Sequence, residues 1–128
     1  MKVDLHNSGD GMTNYEVISK ADILQLPNFR YFMRDELCKA ICKMQECGVV
    51  SLNTTKQLGS HHTCYWVSGD KKFYFDSFGV IPPRKLTKYL KSPIMYSTYQ
   101  IQQYNDTNCS EWCLYMLNEL NIGFLRLH

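Results

Sequence analysis

No part of the sequence approaches the roughly 18 consecutive apolar residues of a membrane-spanning helix, so none is expected. The opening run MKVDLHNSGDG lacks the apolar core of a secretory leader, which predicts a protein made and kept inside a cell. Excess charge is also scarce. Fourteen Lys and Arg against twelve Asp and Glu leave +2, too little to argue for a nucleic-acid binder. Only four prolines and seven glycines are present, and internal repeats, low-complexity tracts and linkers are absent. With 45% apolar and 20% charged residues, intrinsic disorder is excluded. The 128 residues read as one domain spanning 1–128, with 1–12 as a loose arm.

Cysteine is the residue type present in some number. Six occur, at 38, 42, 47, 64, 109 and 113. Inside a reducing compartment these are thiols, and a chain of this size needs no disulfide scaffold. The functional question is therefore whether any thiol is activated.

Local patterns predict an α+β domain with a small mixed or antiparallel sheet packed against helices. Thr13 with Glu16 three residues on forms a capping-box signal for a helix over 14–24, ended by Pro27 and Asn28. Leu37, Ala40, Ile41 and Met44 have helical spacing, which predicts a helix over 32–46 stopped by Gly48. A short strand over 49–53 and a polar loop over 54–60 follow. Residues 61–67 and 72–76 are rich in aromatic and β-branched types, with Ser68-Gly69-Asp70-Lys71 between them, a hairpin signal. Pro82-Pro83 opens a helix over 84–91. Its Arg84, Lys85, Lys88 and Lys91 form a modest basic patch, read as a solvated face. A strand over 94–98 and a helix over 109–120 complete the pattern.

The hairpin has a chemical consequence. A two- or four-residue connection pairs Val67 with Lys72 and sets Thr63 opposite Asp76. His61 then lies on the same face as Asp76, diagonally across the ladder and within reach of a hydrogen bond. A carboxylate beside an imidazole fixes its tautomer and stabilises its protonated form. Spacing alone also fits a polar pair at a strand end. The other face, His62, Cys64, Trp66, Phe73 and Phe75, reads as core apart from His62.

Cys109 falls at the first position of the last helix. Asn108 is a good N-cap and Glu111 stands at the third helical position, a capping-box arrangement. The helix dipole and free N–H groups there favour a thiolate. The stripe Cys113, Met116, Leu117 and Leu120 should face the sheet and carry the Cys109 thiol toward the strands. A buried structural cysteine is the other reading. Gln102, seven residues earlier, could donate to an oxyanion with the Cys109 N–H. Cys38-x₃-Cys42 with Cys47 nearby, and the cluster His61, His62 and Cys64, raise the question of zinc. The second pair would be Cys109 and Cys113, whose spacing in an apolar helix is that of core, so neither metal nor cofactor is expected.

Several short segments fall in one order: Met33-Arg34-Asp35-Glu36-Leu37, Gly59-Ser60-His61, Tyr74-Phe75-Asp76-Ser77-Phe78-Gly79 with Pro82-Pro83 after it, Gln100-Ile101-Gln102, and Cys109 with Cys113 in CSEWCLYML. From Met33 onward this combination resembles the adenain-type viral cysteine proteases, the adenovirus endopeptidase family with relatives in virophages and Polinton-like elements. The resemblance implies a papain-like core with the chain order His, Asp, Cys. It implies Cys109 as nucleophile, His61 as general base, Asp76 as orienting carboxylate and Gln102 as oxyanion donor. It also implies a protein or peptide substrate, such as viral capsid or core precursors cut near small residues like Gly. The location implied is the host cytoplasm or nucleus, or the virion. His62 and Ser110 depart from the family pattern, standing where relatives usually carry Trp and Gly. Two alternatives use the same fold: a binding or scaffold protein with decayed activity, and a protease removing ubiquitin-like modifiers. A nucleic-acid or peptide activator finds no support in the residues, and no membrane partner is expected.

Overall fold

The computed structural model describes residues 12–53, 61–91, 93–101 and 108–127. Helix α1 spans Asn14–Ile23, where Thr13 and Glu16 form the expected capping box. The Glu16 N–H donates to Thr13 Oγ1 at 3.2 Å, and the Thr13 N–H donates to Glu16 Oε1 at 3.0 Å. Strands β1 (Phe29–Met33), β2 (Gln45–Ser51), β3 (His62–Ser68), β4 (Lys71–Phe75) and β5 (Met95–Tyr96) follow, with α2 (Arg84–Leu90) before β5 and α3 (Cys109–Leu127) last. They form one sheet in the order β1-β2-β3-β4-β5. The outer pairs β1–β2 and β4–β5 are parallel, and the inner pairs antiparallel. The chain is α+β with a mixed five-stranded sheet.

Both faces of the sheet are covered, so β3 is buried at nearly every position. On one face Cys47, Val49, Cys64 and Trp66 meet Val17 and Ala21 of α1 and Cys113, Leu114 and Leu117 of α3. Met12, at the end of the expected arm, packs into this core. Met116 and Leu120 lie against it as the helical stripe predicts. On the other face Val50, Tyr65, Val67 and Tyr74 meet Leu86, Tyr89 and Leu90 of α2. That face holds a buried carboxylate. Glu46 accepts hydrogen bonds from the Tyr65 and Tyr89 hydroxyls, the Lys43 N–H and the Arg30 guanidinium. Four donors replace the water that a buried carboxylate loses.

The hairpin forms with the expected register. Val67 pairs with Lys72 and Cys64 with Phe75 across a Gly69-Asp70 turn, with Gly69 at φ +63°. The expected helix over 32–46 does not form. Its start belongs to β1, Arg34–Lys39 is a 3₁₀ turn, and 40–44 is irregular. Leu37 is buried, but Ile41 and Met44 are 86% and 81% exposed. The apolar spacing is overridden by tertiary bonds. Phe29–Met33 gains a full parallel ladder with Cys47–Ser51, and the Lys43 N–H and Ile41 carbonyl are claimed by Glu46 and Arg30. Gly48 accordingly stops no helix and sits inside β2. The β2 strand starts earlier than the expected 49–53 and ends at Ser51. Of the strand expected over 94–98 only Met95–Tyr96 pairs, and further on the Ile101 N–H donates to the Ser77 carbonyl. The last helix runs beyond 120 to Leu127. Arg84, Lys85, Lys88 and Lys91 are exposed. The loop expected over 54–60 lies outside the described residues.

A Cβ at Gly48 would come within 2.6 Å of the Arg30 carbonyl and 2.7 Å of the Tyr65 ring. Backbone and a hydrogen-bonded ring cannot both move aside. Gly48→Ala is therefore expected to destabilise the fold by about 1–3 kcal/mol, the usual range for overpacking. Urea unfolding followed by tryptophan fluorescence measures it.

Candidate active site

Three ends of elements converge at one edge of the sheet. His61 immediately precedes β3, Asp76 immediately follows β4, and Cys109 opens α3. Hairpin register brings the first two together, and the packing of α3 on β3 brings the third. His61 Nε2 lies 2.6 Å from Asp76 Oδ1. The same oxygen accepts the Phe78 N–H at 2.8 Å, an Asx-type turn that fixes the carboxylate's aim. The Phe78 ring stacks on the His61 ring, with centroids 4.2 Å apart and planes within 11°. Phenyl and carboxylate together leave the imidazole little freedom. Its side chain is 20% exposed, and the Asp76 side chain is 1% exposed.

Cys109 is 5% exposed, yet its sulfur is surrounded by hydrogen-bond donors. It accepts the His62 backbone N–H at 3.4 Å, and His62 Nδ1 lies 3.9 Å away. The His61 side chain is a further hydrogen-bond partner. Burial pushes the Cys109 thiol up, but the hydrogen bonds from His61 and His62 outweigh it and bring the thiol down to about 6. Burial likewise pushes His61 down, and its bonds to Asp76 and Cys109 raise it to about 9. Between those values sulfur and ring form a thiolate–imidazolium pair. A thiolate is the nucleophilic form of cysteine, so this sulfur is activated for attack on an electrophilic carbon.

The other cysteines differ. Burial pushes the Cys47 thiol up to about 12 and the Cys42 thiol up to about 11, and Cys113 is held well above its ordinary range. Among the described residues no three His, Cys, Asp or Glu side chains converge as a metal site requires. Gln102 lies outside the described residues, as does the Gly59-Ser60 segment before His61.

The capping box expected from Asn108 and Glu111 does not form. Asn108 Oδ1 and both Glu111 carboxyl oxygens are buried without a hydrogen-bond partner among the described residues. Both residues line the cleft of about 450 Å³ between Leu24 and α3, beside Trp112 and Tyr115. Burial, with the Cys109 charge adding, pushes the Glu111 carboxyl up to about 7. Sequence reasoning gave Tyr31 and Phe78 no role and named His62 and Ser110 only as departures from the family pattern, His62 also in the zinc question; all four reach the site. The doublet His61-His62 was the available signal, since a ladder that presents one imidazole on one face presents the next on the other.

No family model matches the sequence, and no curated protein does either. Among solved structures, the chain is similar to a protease in fold. That structure is the ASFV pS273R protease, crystallised in selenomethionine form, with a TM-score of 0.62 and 14% sequence identity. The match covers 89% of this chain and 59% of the other, so the chain spans about three-fifths of that neighbour's length. Among the described residues no helix is long and apolar enough to cross a membrane.

Iodoacetamide alkylation of Cys109, followed by peptide mass spectrometry across pH, is expected to rise with a midpoint near 6. An unperturbed thiol titrates near 8.5. His61→Ala should move the midpoint toward that ordinary value.

Proposed function

We propose that the chain is a cysteine-type endopeptidase. The observation that carries this reading is the Cys109 thiol held by the His61 ring, which Asp76 grips at 2.6 Å from behind. The likeness in fold to a solved protease supports it, as does the motif order that resembles the adenain-type enzymes. A decayed scaffold would have no need to keep a thiol near 6 beside an imidazole near 9.

In this mechanism the Cys109 thiolate attacks the scissile carbonyl carbon and a C–S bond forms. The carbonyl oxygen becomes an oxyanion, to which the Cys109 N–H and Gln102 are assigned as donors. As the C–N bond breaks, the imidazolium of His61 gives its proton to the leaving amine. Water then attacks the thioester, His61 takes its proton, and the acid product and thiolate separate. Asp76 accepts the Nε2–H throughout, keeping the second nitrogen turned to the sulfur. The substrate proposed is a viral structural precursor cut near small residues such as Gly.

Cys109→Ala is expected to remove at least about 10³-fold of the hydrolysis of a Gly-containing peptide, with the circular dichroism spectrum unchanged. His61→Ala should lose nearly as much, and Asp76→Asn should keep partial activity. The rate in wild type should rise through about pH 6 as the thiol ionises and fall through about pH 9 as His61 loses the proton the amine needs. Full activity in Cys109→Ala would falsify the mechanism.

A further inference from the structure

Behind the sulfur lies a second imidazole that the proposed mechanism does not use. His62 is 3% exposed, on the same face of β3 as the core residues Cys64 and Trp66. Each of its polar atoms has a defined partner. Nδ1 lies 2.9 Å from Ser110 Oγ, and Nε2 lies 2.8 Å from the Tyr31 hydroxyl. The backbone N–H donates to Cys109 Sγ, and the carbonyl accepts the Cys113 thiol at 3.4 Å. Two adjacent pairs therefore interlock: His61 meets Cys109 and His62 meets Ser110.

Burial pushes the Tyr31 phenol up to about 12, so it keeps its proton and can donate it. This reading puts the ring proton on Nδ1, 2.9 Å from Ser110 Oγ and 3.9 Å from the sulfur, with the Tyr31 hydroxyl, which also meets Ser51, donating to Nε2. A thiolate favours this arrangement, because the other tautomer would turn a nitrogen lone pair toward the anion. The remaining titratable groups around the sulfur are His61, Cys113 and Glu111, and of these only His61 bonds it as a donor.

We propose that His62, with its tautomer set by Tyr31 and its ring held by Ser110, is a positioning residue that presents Nδ1–H to the Cys109 sulfur from the side opposite His61. This rests on reading Cys109 as the nucleophile. His62 exchanges no proton with substrate. It holds the sulfur in place and supplies a buried donor where water is absent.

The test is the pH profile of Cys109 alkylation by iodoacetamide, a readout that needs no substrate and that a merely structural side chain would not move. Tyr31→Phe and Ser110→Ala should each raise the midpoint by about half to one pH unit, slowing alkylation at pH 5 about three- to tenfold. The double variant should show less than the sum of the two shifts, because both act through one ring. Tyr31→Phe should change nothing further in a His62→Phe background. If that background does not fold, the first three proteins still decide. Unmoved midpoints in both single variants, or strictly additive shifts in the double, overturn the assignment of His62 while leaving the endopeptidase reading intact. A wild-type midpoint near the ordinary 8.5 overturns both.

Discussion

A sulfur anion shielded from water is tolerable only if N–H groups take over from solvent, and the contact of α3 with β3 is built around that requirement. At 5% exposure the Cys109 thiol should be harder to ionise than a free one, yet it is easier. The difference comes from where the donors stand. One is a backbone N–H of β3, fixed by the sheet, and the side-chain donors come from neighbouring residues at one strand end. If α3 slid along the sheet by one turn, every one of these bonds would be lost together. The apolar contacts of Cys113, Leu114 and Leu117 with Cys64 and Trp66 therefore do more than stabilise the fold. They set the position of the sulfur.

The opposite face of the sheet solves a related problem with opposite donor chemistry. Glu46 is buried against α2 and satisfied by two phenols, an N–H and a guanidinium. Burial pushes the Tyr65 phenol well up, with the Glu46 bond adding, so it remains a donor. This network ties β1, β2, β3 and α2 together. Strand β3 serves both faces through alternate residues: Tyr65 reaches Glu46 on the α2 side, and His62 meets the start of α3 on the other.

The hairpin and the His61–Asp76 pair were legible because strand parity is a strong constraint: once Val67 opposes Lys72, the rest of the ladder follows. The α1 cap was legible because Thr13 and Glu16 act on each other locally. The helix expected over 32–46 failed for a non-local reason. Its apolar spacing was real, but β2 and Glu46 offered that segment better partners than a helix could. The box at Asn108 and Glu111 failed similarly, as Glu111 faces the cleft beside Leu24. The contact of His62 with Ser110 could not be read from either residue. Each looks like an isolated departure from a family pattern, and only the docking of α3 makes them a bonded pair.

The two-residue Gly69-Asp70 turn lies at the far end of the hairpin from His61, about 26 Å along the strand at 3.3 Å per residue. It touches nothing in the site, yet it sets the count that places an imidazole diagonally across from a carboxylate. One inserted residue that shifted the register would turn every side chain of β4 to the opposite face and put Asp76 out of step with His61. Lineages carrying this chemistry should accordingly keep the length of that turn while its residues drift. The distance between the two strands, counted in residues, then becomes a better marker of a working site than the identity of any residue between them.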